Sequence, residues 1–244
     1  MLIWIDNQSN LSRGEVRDAI VVLNHQIKRD FSPYWGLSAE VRLHRGGPMP
    51  VPKDGKVGHI HLHNAGAAVG YHQDEASGIP AGFVIVDIPQ ATQRTDPWLT
   101  WTVALSHECL ELIADPHLNI FVRGPHPTIR GRMVYYYREV CDPVQGLVYK
   151  VDGASVSNFV LPHYYNAVGQ KGLKNDFLDS GLKAFGFLNA GVVGFLDPKK
   201  GNGGTFEIFP DGSPKDAAAV VRRLKGTRGR LHRYARPKRH VVKR

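Results

Sequence analysis

The stretch from 97 to 114 constrains this chain most. Trp98, Leu99, Trp101, Val103, Leu105, Leu110, Leu112 and Ile113 are distributed around all sides of a helix, so a helix here has no face to offer water and belongs in a core. Asp96 suits the N-cap with Pro97 at the first helical position, and Asp115-Pro116 forces a stop; the expected helix runs from 97 to 114. Apart from the thiol of Cys109, the only ionisable side chains inside it are His107, Glu108 and Glu111.

Residues four apart share a helix face, so His107 and Glu111 point into one space, and Glu108, about 100° round, can reach it too. Two carboxylates in a dry core repel one another, and each costs several kcal/mol of desolvation. A divalent cation removes that penalty. The spacing is that of the His-Glu-x-x-His metalloprotease helix with glutamate in place of the second histidine, and glutamate oxygen is an accepted zinc ligand. Zn2+ is therefore the expected cofactor, with His107 and Glu111 as ligands.

Zinc needs at least three protein ligands, so one must come from outside the helix. Candidates lie in Tyr137-Arg138-Glu139-Val140-Cys141-Asp142-Pro143, where a strand ends in two acids. Glu139 is the first choice, Asp142 the second and Cys141 a further option. His163, in Leu161-Pro162-His163-Tyr164-Tyr165, is a candidate ligand or oxyanion donor beside Tyr164 and Tyr165. If the metal is catalytic, Glu108 is the general base toward an activated water, and the strand from 83 to 88 is expected to be an edge that aligns an extended peptide. His59, His61 and His63 share one strand face and, with His72, form a histidine cluster that suits either a polar sheet face or a second metal site.

Around this helix the periodicity predicts an α+β chain. Strands are expected at 2–5, 39–44, 59–63, 83–88, 119–122, 133–140, 147–151 and 156–162, with a helix over 13–31, an irregular loop over 64–82 and a glycine-rich region over 177–209 whose elements periodicity does not place. With 244 residues and 42% hydrophobic content the chain can bury a full core. Residues 1–215 are expected to form one metal-binding domain, and 216–244 a short helix followed by a basic tail.

The net charge of +9 resides in that tail: residues 222–244 carry eleven Lys or Arg and no acid, more than the whole excess. The tail suits nucleic acid or an acidic partner, or is a solvated terminus. Two cysteines make no disulfide framework. No stretch reaches the ~18 apolar residues of a membrane span, and Met1-Leu2-Ile3-Trp4-Ile5-Asp6 lacks the charged and apolar regions of a secretion signal, so a cytoplasmic or virion-associated protein is expected.

Leu105-Ser106-His107-Glu108 through Ala114-Asp115-Pro116, then Glu139-Val140-Cys141-Asp142-Pro143 and Val156-Ser157-Asn158-Phe159-Val160-Leu161-Pro162, resemble a little-characterised group of bacterial and phage proteins with zincin-like helices. Gly70-Tyr71-His72 and Gly82-Phe83-Val84 fit the same pattern, so the likeness spans roughly 60–204. The resemblance implies a zincin-like fold: a mixed sheet packed on an N-terminal helix and a buried His-Glu-x-x-Glu metal helix, with a β-rich C-terminal part. Glu139 follows the helix at a separation similar to that of the downstream glutamate in gluzincins. The resemblance supplies no substrate; from the chemistry of the metal helix the expected function is metal-dependent hydrolysis, of peptide or peptide-like amide bonds foremost. The alternative is a non-catalytic structural or binding protein such as a virion component, whose tail contacts nucleic acid or a partner.

Overall fold

The computed structural model describes residues 1–51, 56–65, 69–88, 99–188 and 190–199, together with the backbone of 204–208 and 214–216. Among the described residues the chain is a mixed α/β structure with two five-stranded sheets, a two-stranded hairpin and few helices.

The first sheet forms from β1 (Leu2–Asn7), β2 (Glu40–Leu43), β3 (Val57–His63), β4 (Gly70–Asp74) and β5 (Pro80–Ile85), in the order β2-β1-β3-β5-β4. All neighbours are parallel except β4, which runs antiparallel to β5 and is the outermost strand on that side among the described residues. The expectation of an irregular loop over 64–82 is thus corrected: glycines there accompany a strand, because Gly70 and Gly82 lie where a helix comes close. The expectation that the strand before the buried helix is an edge is corrected as well, since β5 is flanked by β3 and β4.

Strand alternation sorts the histidines. One row across the sheet runs Ile5, Ile60, Gly82, His72, and the next runs Asp6, His61, Phe83, Tyr71. Neighbouring rows point to opposite faces. His72 therefore shares the apolar face of Ile60, while His61 and Phe83 stack on the other face with ring centroids 5.2 Å apart.

Helix α1 (Arg13–His25) starts at a capping box in which Ser12 accepts from the Glu15 amide and Glu15 accepts from the Ser12 amide. It buries Val16, Ala19, Ile20 and Leu23 and then widens into a π-helical segment, Gln26–Phe31, before α2 (Ser32–Trp35) and a left-handed Gly36. The π turn places two polar side chains, Gln26 and Asp30, inside the protein, at 0% and 4% exposure. Both have built partners. Gln26 Nε2 donates to the Ser157 carbonyl (3.0 Å) and to the Tyr149 hydroxyl (3.1 Å), and its Oε1 accepts from Ser106 Oγ (2.8 Å). Tyr149 donates in turn to Asp30 (3.0 Å).

The buried helix, α3 (Trp101–Ala114), begins later than the 97 expected: Thr100 is the N-cap and has extended backbone angles, while Asp96 and Pro97 lie outside the described residues. It ends at Ala114, as Asp115-Pro116 requires. Asp115 accepts the amides of Asn119 and Ile120, both at 3.0 Å, and Arg138 donates to the Ala114 carbonyl, a cation at the negative end of the helix. Every residue from Val103 to Ala114 is buried.

The second sheet is antiparallel, in the order β12-β11-β10-β7-β6, from β6 (Phe121–Pro125), β7 (Met133–Tyr137), β10 (Val193–Asp197), β11 (Gly204–Ile208) and β12 (Pro214–Asp216). β8 (Val148–Val151) and β9 (Ala154–Ser157) form a hairpin whose two turn residues, Asp152 and Gly153, both have positive φ, the conformation that matches strand twist. β10 and β11 fall in the glycine-rich region that periodicity could not place, and Asp216 closes a strand where a helix was expected to start. The remainder of that helix and the basic residues 222–244 lie outside the described residues. No helix among the described residues is long and apolar enough to cross a membrane.

Candidate metal centre

Helix α3 packs against β4 and β5 on one side and β9 on the other. Close approach to the sheet depends on missing side chains. A Cβ at Gly82 would stand 3.3 Å from Glu108 Cβ, and one at Gly70 would stand 2.6 Å from Glu108 Oε1. On the opposite side Ser106 Oγ accepts the Ser157 amide at 3.1 Å while donating to Gln26, which fixes the turn of helix that carries His107.

Two groups of donors meet beneath the helix and share Glu111. In the first, His107 Nε2 lies 3.2 Å from Glu111 Oε2 and 3.3 Å from Asp142 Oδ1. In the second, His72 Nδ1 lies 3.4 Å from Glu108 Oε2, 3.6 Å from Glu111 Oε2 and 4.0 Å from Glu139 Oε2. Glu111 Oε1 accepts the amides of Cys141 (3.2 Å) and Asp142 (3.3 Å), so the 3-10 turn Asp142–Val144 is held against α3 by the same carboxylate. All these side chains are buried: Glu111 and His72 at 0% exposure, Glu108 at 2%, Glu139 at 5%, Asp142 at 8% and His107 at 9%.

The spacings suit a cation. Ligand atoms about 2.1 Å from a tetrahedral zinc ion are about 3.4 Å from one another, which is the separation around His107. A single imidazole nitrogen carries one proton or one lone pair, and here it faces two carboxylate oxygens at nearly equal range. Burial opposes a charge on His107, but Glu111, Asp142 and Glu108 outweigh it and hold its pKa well above the ordinary histidine value. The residues thus fit a divalent ion chemically, with one nitrogen and two oxygens in the first set. Burial pushes the Cys109 thiol up to about 12 and, with help from Glu111 and Asp142, raises Cys141 well above the normal range; neither belongs to a donor group among the described residues.

The expected residues are thus only partly brought together. His107, Glu111 and Asp142 form one set, and Asp142, the second choice from sequence, stands nearer His107's donors than Glu139, whose Oε2 faces His72. His163 is exposed on the short 3-10 turn Pro162–Tyr165 and belongs to neither donor group. Tyr164 and Tyr165 are committed elsewhere, donating to the carbonyls of Gly186 (2.8 Å) and Glu139 (3.3 Å). Sequence reasoning missed His72, which it grouped with His59, His61 and His63. Its signals are its place between glycines at 70 and 82 and its membership of the Gly70-Tyr71-His72 segment of the resemblance.

The other histidines form a third donor group on the opposite face of the sheet, His59, His61 and Glu75, without His63. Their ring nitrogens have protein partners: His59 meets Glu75 (2.7 Å) and the Pro50 carbonyl (3.0 Å), and His61 meets Glu75 (3.0 Å) and Asp6 (3.3 Å). That group is satisfied as a hydrogen-bonded network.

Compared with protein-family models, curated proteins and solved structures, the chain matches none.

Proposed function

We propose that the chain is a metal-dependent hydrolase of zincin-like type, with zinc as the metal and a peptide or peptide-like amide as the substrate. The observation that carries this reading is the pair of carboxylate oxygens 3.2 and 3.3 Å from the one Nε2 of His107, with Glu108 next along the same helix. What supports the zincin-like assignment is the mixed sheet with the His-Glu-x-x-Glu helix packed on its β4–β5 side. His107, Glu111 and Asp142 would hold the zinc ion, which when bound would supply Lewis acidity toward water and a carbonyl oxygen. Glu108 takes a proton from the attacking water at Oε2 and returns it to the leaving amine. Gly70 and Gly82 let that carboxylate sit against the sheet. β4, the outer strand among the described residues, would present its backbone edge to an extended peptide.

A second reading keeps the metal without the chemistry: a zincin-fold structural or binding protein, such as a virion component, whose residues 222–244 contact nucleic acid or an acidic partner. The low exposure of every donor favours it, because structural zinc sites are closed. Glu108→Gln separates the two. Cleavage of a fluorogenic peptide library by the zinc-loaded protein, lost in the variant while the first equivalent of zinc stays bound, is the expected result. A protein that holds zinc and cleaves nothing in a broad library decides for the second reading.

A further inference from the structure

We propose that the pocket has a second divalent-cation position, formed by His72 Nδ1, Glu108 Oε2 and Glu111 Oε2, with Glu111 bridging the two ions. The inference rests on the reading of His107, Glu111 and Asp142 as the first position.

His72 is the observation that calls for it. The side chain is fully buried, and neither ring nitrogen makes a hydrogen bond. A buried polar group without such a partner is costly, and strand β4 delivers this one onto the acidic face of α3 rather than to the polar face where His59 and His61 are satisfied. The separations of its Nδ1 from Glu108 and Glu111, 3.4 and 3.6 Å, repeat those around His107, and again match donors on a common tetrahedral ion of about 2.1 Å bond length. Glu139 Oε2, at 4.0 Å, stands within reach as a fourth donor.

Charge points the same way. Four carboxylates, Glu108, Glu111, Glu139 and Asp142, are enclosed at 8% exposure or less. One nitrogen and two or three oxygens suit zinc, cobalt or manganese rather than a soft ion. Two-metal sites place their ions about 3.5–4 Å apart, a distance a single bridging carboxylate spans.

The second position has a functional consequence, because it takes Glu108, the proposed base. With both ions bound, Glu108 Oε2 is a ligand and no longer accepts a proton from water. The singly loaded protein is the active form, and the doubly loaded one is a resting form set by metal supply.

The test uses chelator-treated full-length protein titrated with ZnCl2 in a calorimeter, with metal analysis after dialysis. Two ions per chain are expected for the wild type and one for His72→Gln. Loading with Mn2+ is expected to give a spin-coupled electron paramagnetic resonance spectrum in the wild type, a readout that does not depend on the variant folding. A wild type that holds one ion overturns the second position and leaves the proposed function standing. Two ions retained in a folded His72→Gln also overturn it, since the second ion is then elsewhere. A wild type that binds no zinc overturns both readings together.

Discussion

Glu108 lies so close over Gly70 that a Cβ on the glycine would stand 2.6 Å from its Oε1 and 3.0 Å from its Cγ. The general base proposed above is therefore positioned by an absent side chain on the outer strand of the sheet. Gly70→Ala is expected to push Glu108 away from His72 and to cost about 1–3 kcal/mol, the usual penalty of overpacking. Urea unfolding measures it. Gly14→Ala, where only Ser12 Oγ stands near, at 3.6 Å, is expected to stabilise α1 instead. Equal effects from the two substitutions would refute the packing argument.

Metal removal should expose the cost of the enclosed acids. The chelated protein is expected to melt at lower temperature, and adding zinc to about 100 times its dissociation constant should restore about 2.7 kcal/mol. His107→Ala and Asp142→Ala should weaken the zinc response in a thermal melt, leaving only the part that His72 and its neighbours supply. An unchanged melting curve on chelation would remove the cation from the account.

The network of Gln26, Ser106, Tyr149 and Ser157 ties the π turn to α3 and β9. Gln26→Leu leaves the Ser106 hydroxyl, the Tyr149 hydroxyl and the Ser157 carbonyl each short of a partner, and is expected to destabilise by about 2–4 kcal/mol. Ser106→Ala removes a shorter link and should cost less. Denaturant midpoints for the two variants check the order.

Alkaline pH should weaken the same region. Burial, and then the neighbouring Asp30 carboxylate, raise the Tyr149 hydroxyl well above the ordinary tyrosine value, although the hydrogen bond from Gln26 works in the other direction. A raised pKa means the folded state favours the protonated phenol. The stability it contributes is fully present below the unfolded pKa of about 10 and is lost as pH rises past it. Tyr149→Phe is expected to flatten part of the stability loss above about pH 10, read from urea midpoints across the alkaline range. A slope identical to wild type would assign that loss to Tyr136, Tyr164 and Tyr165, which burial also raises.

The buried helix was legible from its own residues, because an apolar surface on every side admits only one placement and Asp115-Pro116 admits only one end. The same local logic singled out His107, Glu108 and Glu111, whose spacing along a helix is fixed by the backbone. The acids at Glu139 and Asp142 were found as a pair with Glu139 placed first, whereas Asp142 stands beside His107 and Glu139 faces His72: that choice depends on where the turn after β7 folds back, where Glu111 accepts the amides of Cys141 and Asp142. His163 looked suitable by residue type, and its exposure is a property of a turn that sequence does not orient.

What sequence determined by itself was therefore whatever depends on short-range periodicity: the helix, its C-terminal stop, the alternating strand of histidines and the i, i+4 pair. What the tertiary structure alone decided was which residues from elsewhere face that pair. His72 reaches it because β4 pairs antiparallel with β5 in a register that sets His72 beside Gly82 on the helix side, and a shift of one residue would turn it to the other face. Pairing register is set by contacts between strands distant in sequence, so no local pattern in the chain could contain it.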